Sequence, residues 1–238
     1  MTKTAGVDPV GSRASTEHGH TIGVSYQPIV ELPDARIAVV EALVRGVDPG
    51  VELDEGMFDS PELLGRVVDH VIASAKNLGD LTVSVNLSGH DLSSTATLEH
   101  TGRLVDHLGV KRVQLEVSEL SAPFGPTALR LLDHLRLIGV AVVLDHFGAG
   151  MTATAVRSHQ FDGVKLDRAL QSDRRPSALG VAEALVAFAN NLGLEVTAVG
   201  VEDAAVLVAL TDAGVARFQG HMFAKAMPAE LITRQQLS

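Results

Sequence analysis

The sequence predicts an α/β fold, specifically a closed (β/α)₈-type barrel, with an open doubly wound sheet as the alternative. From Thr21 onward, short runs rich in Val, Ile and Leu alternate with longer segments of helical periodicity. The short runs are almost entirely apolar, as in Val140–Leu144, which is typical of parallel strands covered on both faces. No glycine-rich phosphate motif follows the first strand and no Walker A sequence occurs, which disfavours the open sheet.

About eight segments have the composition of strands, the number that closes a barrel of this class. In chain order they are Val24–Val30, Ile37–Val44, Leu81–Asn86, Val113–Val117, Val140–Asp145, Gly163–Asp167, Glu195–Gly200 and Val215–Phe218. The longer segments between most of them predict helices, because their apolar residues recur at spacings of three and four. These segments are Pro61–Asn77, Leu98–Leu108, Pro126–Ile138, Ser177–Asn191 and Asp203–Ala213.

The N-terminal residues differ from the rest of the chain. Residues 1–21 are rich in Gly, Ser, Thr and His and show no apolar periodicity, so we expect a flexible tail. No internal repeat or Pro/Ser-rich linker follows. Residues 22–238 are therefore predicted to form one domain.

Composition limits the function classes. Lys and Arg number 19 against 29 Asp and Glu, which gives a net charge of −10 and argues against duplex nucleic acid as a partner. The absence of cysteine excludes disulfides, thiolate metal sites and a cysteine nucleophile. No apolar run approaches the roughly 18 residues of a membrane span. We expect a cytoplasmic protein without a membrane partner.

Polar side chains lie at or just after the carboxyl ends of five predicted strands. In a barrel these ends form one mouth, where catalytic and binding side chains collect. The residues are Glu41 with Arg45, Asn86, Glu116 with Glu119, Asp145 with His146, and Lys165 with Asp167. Converging carboxylate and amide oxygens are ligands for a hard divalent cation such as Mg²⁺ or Mn²⁺. Asp167 is explained equally well as a site residue or as a structural one, a helix cap or a partner of Arg168.

These residues belong to a series of short motifs that resembles the EAL domain family. Glu41-Ala42-Leu43, followed by Val44-Arg45, is similar to the tripeptide that names the family. The other matches, in chain order, are Gln27-Pro28-Ile29-Val30, Asn86-Leu87-Ser88, Leu115-Glu116-Val117-Ser118-Glu119, Asp145-His146-Phe147-Gly148-Ala149-Gly150, Val164-Lys165-Leu166-Asp167-Arg168, Val199-Gly200-Val201-Glu202 and Gln219-Gly220. The resemblance implies a modified TIM barrel whose first strand is antiparallel to the rest. In active members it also implies a cyclic di-GMP phosphodiesterase that uses Mg²⁺ or Mn²⁺.

The resemblance also implies a role for individual residues. The first metal site would be formed by Glu41, Asn86, Glu116 and Asp145. Glu41 and Lys165 would be catalytic, with Lys165 holding a water or a phosphate oxygen, and Glu119 would brace the loop after Asp145. The nucleotide would be contacted by Gln27, Leu43, Arg45 and Gln219.

Two departures from the family pattern concern catalysis. His146 stands where active members have the second aspartate of D-D-F-G, and Val199 stands where they have the first glutamate of E-G-V-E. The resemblance assigns the first position to a second metal ion, and the second position to that ion or to the attacking water. Valine has no lone pair, and imidazole is a poor ligand for Mg²⁺. We therefore expect one metal ion or none, and no hydrolysis.

Three functions remain open at this point. The leading hypothesis is a catalytically inactive EAL-like domain in cyclic di-GMP signalling that senses the nucleotide or regulates a protein partner. The alternative is an active or weakly active metal-dependent phosphodiesterase that produces 5′-pGpG. The third is an interaction module that binds a protein partner and no nucleotide; a homodimer is compatible with any of the three.

Overall fold

Nine strands and seven α-helices are formed by the residues that the computed structural model describes, which are 15–17, 20–46, 62–118, 124–149, 161–172 and 176–232. The strands are β1 (Ser15–Glu17), β2 (His20–Glu31), β3 (Arg36–Gly46), β4 (Thr82–Leu87), β5 (Val113–Val117), β6 (Ala141–Phe147), β7 (Gly163–Leu166), β8 (Glu195–Val199) and β9 (Arg217–Gln219). The helices are α1 (Leu63–Leu78), α2 (Ala96–Leu108), α3 (Pro126–Leu137), α4 (Arg168–Ser172), α5 (Pro176–Asn191), α6 (Ala204–Asp212) and α7 (Ala229–Ile232).

The sheet closes into a barrel because β2 pairs with both β3 and β9. β2 is antiparallel to both neighbours, whereas each pair from β3–β4 to β8–β9 is parallel. The short β1 pairs only with β2 and lies outside the closed barrel. The predicted barrel with an antiparallel first strand is thus confirmed, and the open sheet is excluded.

The β2–β3 hairpin takes the place of the helical crossover that a parallel pair would need. Residues 32–35 join the two strands, which stay paired along nearly their whole length. The register sets Gln27 opposite Glu41. Two predicted site residues therefore lie side by side because of the antiparallel pairing.

The predicted elements are present with small shifts at their ends. Every predicted strand overlaps one strand of the barrel, and the five predicted helices correspond to α1, α2, α3, α5 and α6. α1 buries Leu64, Val67 and Val71, the face expected from their spacing. At α6 the Asp203 carboxylate caps the helix by accepting a hydrogen bond of 2.7 Å from the Ala205 backbone N–H. The short α4 and α7 were not predicted, because one turn leaves no periodic pattern.

Some residues of the predicted tail form strands. β1 pairs antiparallel with the start of β2, His20 and Thr21 included, while residues 1–14, 18 and 19 lie outside the described residues. The division at residue 21 into tail and domain stays a prediction.

The core follows from strands covered on both faces. All five residues of β5 and all four of β7 are buried, including Glu116 and Lys165. Buried polar side chains thus lie on strands that are otherwise apolar, and they require partners in the barrel. None of the described helices is long and apolar enough to cross a membrane.

Candidate functional site

A buried lysine joins two buried glutamates inside the barrel. The Lys165 ammonium on β7 lies 2.8 Å from Glu41 Oε2 on β3 and 2.7 Å from Glu116 Oε2 on β5. Lys165 is 3% exposed and Glu116 is 0% exposed. Charges are removed from water at high cost unless they are paired and hydrogen-bonded. The three groups therefore depend on one another.

Amide side chains from two more strands complete the surroundings of Glu41. Asn86 Nδ2 on β4 donates to Glu41 Oε1 at 2.8 Å, and Gln219 Nε2 on β9 donates to Glu41 Oε2 at 2.6 Å. Gln219 Nε2 also lies 3.4 Å from Gln27 Oε1 on β2. Glu41 thus connects four strands of the barrel, β3, β4, β7 and β9, through its own side-chain contacts.

Two residues that support Glu116 were missed by the sequence analysis. Ser84 Oγ donates to Glu116 Oε1 at 2.6 Å, and Gln114 Nε2 donates to Ser84 Oγ at 3.0 Å. Ser84 lies two residues before Asn86, and Gln114 lies two residues before Glu116. Because side chains alternate along a strand, each pair faces the same side of the sheet. This spacing of two residues is the feature of the sequence that could have identified Ser84 and Gln114.

Burial and charge shift the pKa values of this cluster in opposite directions. Burial alone would raise the pKa of Glu41, but the Lys165 ammonium and the hydrogen bonds from Gln219, Lys165 and Asn86 outweigh it and lower the pKa to about 2. Burial and the Glu41 carboxylate raise the pKa of Glu116 to about 7, despite Lys165. Burial would lower the pKa of Lys165, yet Glu116, Glu41 and Asp145 raise it above its ordinary value.

The end of β6 supplies two consecutive residues to the mouth. Leu144 pairs with Val164 and Phe147 pairs with Leu166, so β6 uses three steps where β7 uses two. The extra residue is a β-bulge at Asp145 and His146, and His146 has a left-handed φ of 56°. Asp145 Oδ1 accepts a hydrogen bond of 2.8 Å from the His146 backbone N–H.

Asp167 contacts His146 and caps α4, whereas its role as a site residue stays a prediction. Its Oδ2 lies 3.0 Å from His146 Nδ1, and its Oδ1 accepts a hydrogen bond of 2.8 Å from the Ala169 backbone N–H at the start of α4. Arg168 instead donates to Glu202 Oε1 at 3.1 Å.

A cavity of about 260 Å³ opens at this end of the barrel. The predicted residues that line it are Gln27, Glu41, Asp145, His146, Lys165, Val199 and Gln219; the others are Arg168, Gly200, Glu202, Gly220 and His221. Val199 is half-buried and lies beside Gln219 across the β8–β9 pair. The valine therefore presents a methyl-bearing side chain where the resemblance implies a carboxylate.

Five predicted residues, Asp167 among them, do not line the cavity. Asn86 and Glu116 contact lining residues but do not line the cavity themselves. Leu43 is half-buried, and Arg45 is exposed near the end of β3, where its guanidinium donates to the Val44 carbonyl at 3.1 Å. Glu119 lies outside the described residues.

The side chains implied as metal ligands suit a hard divalent cation by donor type, since three are carboxylates and one is an amide. Both glutamates, however, share Lys165, and Asn86 is placed with its amide nitrogen toward Glu41. Among the described residues no three His, Asp or Glu side chains are arranged to hold an ion. Asp145 faces the cavity next to His146, whose Nε2 lies 3.5 Å from Asp145 Oδ2.

Proteins with related sequences include an enzyme and a regulator. The cyclic di-GMP phosphodiesterase NbdA of Pseudomonas aeruginosa is 28% identical over 223 residues, covering 85% of this chain and 28% of NbdA. The blue light- and temperature-regulated antirepressor BluF of Escherichia coli is 26% identical over 218 residues, covering 85% of this chain and 53% of BluF. The chain thus spans only part of the length of either relative.

Solved structures share the fold. The PaMucR phosphodiesterase in its c-di-GMP complex superposes with a TM-score of 0.77 at 25% sequence identity, over 89% of this chain and 94% of the PaMucR chain. The described barrel therefore has the same fold as the PaMucR phosphodiesterase.

The match to one family model extends over most of the chain. The EAL domain model matches residues 12–226, a range that contains every predicted site residue. The chain therefore belongs to the EAL domain family.

Proposed function

We propose that this domain binds cyclic di-GMP without hydrolysing it and acts in signalling as a nucleotide sensor. The observation that carries the proposal is Val199, whose apolar side chain lines the cavity beside Gln219. A valine can neither coordinate a cation nor accept a proton from water. The position that the family uses for a second metal or for the attacking water is without a functional group here.

His146 supports the same proposal. Its Nδ1 lies 3.0 Å from Asp167 Oδ2, and an imidazole is a poor ligand for Mg²⁺. The carboxylate that the resemblance implies at this position is absent. Phosphodiester hydrolysis in two-metal sites depends on a pair of cations about 3.5–4 Å apart, which bind both the attacking and the leaving oxygens.

Nucleotide binding requires neither a second metal ion nor a proton acceptor, and side chains that could contact the nucleotide are present. Gln27 and Gln219 lie in contact on the cavity wall and offer amide groups for base or ribose atoms. Lys165 lines the cavity as a buried cation that a phosphate oxygen would approach, and Arg45, exposed near the end of β3, offers a forked guanidinium. The resemblance implies that Asp145, Glu41, Asn86 and Glu116 would hold a divalent cation that neutralises phosphate charge; because the described residues are not arranged to hold an ion, the proposal does not depend on one.

The ligand class is supported by related proteins. The structure of PaMucR is a c-di-GMP complex, and NbdA is named as a cyclic di-GMP phosphodiesterase. The chain is acidic overall, so binding an anionic nucleotide requires local cations. Arg168 and Lys165 line the cavity and are paired there with Glu202 and with Glu41 and Glu116, so a nucleotide phosphate would compete with these carboxylates for the two cations.

Two other functions are each favoured by one observation. A weakly active phosphodiesterase is favoured by the presence of Glu41, Asn86, Glu116, Asp145 and Lys165 at one end of the barrel. A protein regulator is favoured by the similarity to BluF, which is named as an antirepressor. Both functions can be distinguished from nucleotide sensing by direct measurement.

The test is a calorimetric titration of the purified protein with cyclic di-GMP, in EDTA and then in Mg²⁺ or Mn²⁺, followed by chromatography of the nucleotide. For a nucleotide sensor, we expect saturable binding of cyclic di-GMP and recovery of the intact nucleotide. Recovery of 5′-pGpG would favour the enzyme, and absence of binding at high micromolar ligand would leave the protein regulator.

A further inference from the structure

A second cavity lies at the end of the barrel opposite the mouth. Its volume is about 420 Å³, larger than the 260 Å³ of the cavity at the mouth. It is lined by the last residue of β2 and by the first residues of β3, β8 and β9, which meet there because β2 is antiparallel to its neighbours. None of the predicted site residues that the structure describes lines this cavity.

Four charged side chains form a row along the cavity. Arg36 Nη2 on β3 donates to Glu31 Oε1 on β2 at 2.5 Å, and Arg217 Nε on β9 donates to Glu31 Oε2 at 3.2 Å. Arg217 also donates to the Glu195 carboxylate on β8. Because β3, β2, β9 and β8 are successive neighbours in the closed sheet, positive and negative charges alternate along the row.

The two outer members of the row are more exposed than the two inner ones. Arg217 and Glu31 are 21% and 24% exposed at their side chains, whereas Arg36 and Glu195 are each 58% exposed. Among the described residues, each inner side chain pairs with two partners and each outer one with one. A guanidinium carries five N–H donors and a carboxylate about four acceptor sites. Arg36 and Glu195 therefore keep hydrogen-bonding capacity for a ligand.

The order of the charges selects the class of ligand. A simple anion along the row would lie near Glu31 and Glu195, a simple cation would lie near Arg36 and Arg217, and like charges placed together are unfavourable. A ligand with a carboxylate at the Arg36 end and an ammonium at the Glu195 end avoids both. Burial would raise the pKa of Glu31, but hydrogen bonds from Arg217 and Arg36 lower it below its ordinary value, so the inner charges persist.

The length of the row indicates the length of the ligand. Neighbouring strands lie about 4.8 Å apart, so the three strand intervals from Arg36 to Glu195 separate their backbones by about 14 Å. Both side chains reach inward to their partners, which shortens the distance between the charged ends. Two or three residues of extended chain span about 7–11 Å. A single amino acid carries both charges on one carbon and is too short.

We propose that this cavity binds a short peptide of two or three residues with free termini, its carboxylate on Arg36 and its ammonium on Glu195. Leu194 and Val196, which are 9% and 5% exposed, form an apolar wall suited to small uncharged side chains. The site goes beyond the proposed function and does not involve the nucleotide.

The test is a calorimetric titration of the full chain with trialanine, without nucleotide. The wild type is expected to bind saturably. R36A and E195Q should each weaken binding about 10- to 100-fold, the range for loss of a hydrogen bond to a charged group. Their melting temperatures should stay close to that of the wild type, because exposed ion pairs contribute little to stability. R103A is the matched control, since Arg103 also forms a surface ion pair, with Asp69, but does not line the cavity.

Modified peptides assign each terminus to its partner. N-acetyl-trialanine lacks the ammonium, so it should bind the wild type more weakly and E195Q as well as the wild type. Trialanine amide lacks the carboxylate and should likewise not distinguish R36A from the wild type. Free alanine should bind at least tenfold more weakly than trialanine, because it can engage only one end of the row.

No saturable binding of trialanine to the wild type at millimolar concentration would overturn the proposal, as would an equal loss of affinity in R103A. Alanine that binds as tightly as trialanine would overturn the assignment to a peptide. Because no nucleotide is present, these outcomes are independent of whether the domain binds cyclic di-GMP.

Discussion

Two groups of residues at the barrel mouth, a buried side and an open side, differ in how fully their polar groups are satisfied. In the buried side, carried by β3, β5 and β7, Lys165 is enclosed between two glutamates that also accept hydrogen bonds from Asn86, Gln219 and Ser84. In the open side, carried by β6 and β8, which are adjacent to β7 in the sheet, Asp145 and His146 face the cavity and Val199 contributes no polar group. His146 is 44% exposed at its side chain.

This difference distinguishes residues that the fold requires from residues that catalysis would require. A buried cluster of charges is costly when any member is lost, so its residues are retained whether or not a reaction takes place. Val199 is half-buried and apolar, so the buried charges do not depend on it. The presence of Glu41, Glu116 and Lys165 is therefore weak evidence for catalysis, and the residues on the open side decide it.

Repair of the open side should produce the largest effect. H146D/V199E restores both missing carboxylates and is expected to convert an inert protein into one that forms 5′-pGpG in Mg²⁺ or Mn²⁺. A general base alone contributes roughly 10²–10⁴-fold. Each single substitution repairs half of the site, and groups that act together are not additive. Chromatography of the nucleotide measures the product, after a thermal melt has shown that the variant folds.

The matched control is H146D/V199Q, which has a side chain of the same size without the charge. It should remain inactive. Equal turnover in both double variants would show that the carboxylate at position 199 is not what the open side lacks.

Disruption of the buried side should cost stability. K165M leaves Glu41 and Glu116 facing each other without a cation, and breaking a buried ion pair costs about 3–5 kcal/mol. Chemical denaturation should show this loss in the free energy of unfolding, whereas K111M, at an exposed lysine, should change it by less than about 0.5 kcal/mol. A loss in K165M no larger than in K111M would contradict the view of a mutually dependent cluster.

Substitution of Arg45 should weaken nucleotide binding without changing the stability of the fold. R45A is expected to weaken cyclic di-GMP binding by about 1.5–3 kcal/mol, the range for a hydrogen bond to a charged group. The control is R36A at the opposite end of the same strand, where Arg36 pairs with Glu31. Calorimetry should find wild-type affinity in R36A. Equal affinity in R45A would remove Arg45 from the nucleotide site.

The smallest expected effect is on the pH dependence of stability. The pKa of Glu116 is raised to about 7 in the folded protein from an ordinary value of 4.5, so the folded state binds the additional proton between these pH values. The free energy of unfolding should therefore fall as pH rises from 4.5 to 7, by less than about 1.4 kcal/mol per pH unit. Denaturation in EDTA should show a smaller slope for E116Q and an unchanged one for E99Q, at an exposed glutamate. A wild-type slope in E116Q would contradict the raised pKa.

The fold was predictable because its signals are local. Apolar β-branched runs such as Val113–Val117 and periodic segments such as α1 identify their own structure. Convergence of Glu41, Asn86 and Lys165 followed from one rule, that parallel strands end at the same side of a barrel. The antiparallel first strand came from the motif resemblance and not from residue patterns.

The remaining features depend on pairing between distant segments. The bulge at Asp145 and His146 arises from the register between β6 and β7, which no short stretch of sequence encodes. The double role of Asp167 needs both His146 and the start of α4 in place. Ser84 and Gln114 look like ordinary strand residues until Glu116 is found buried between them and Lys165.

Whether the domain binds cyclic di-GMP without hydrolysing it can be tested by prolonged incubation of stoichiometric wild-type protein with cyclic di-GMP in Mn²⁺, with chromatography of the nucleotide and calorimetry on the same sample. Bound, intact cyclic di-GMP is expected at every time point. Accumulation of 5′-pGpG that is abolished by E41A would contradict it, and would show that the domain hydrolyses the nucleotide without a carboxylate at position 199.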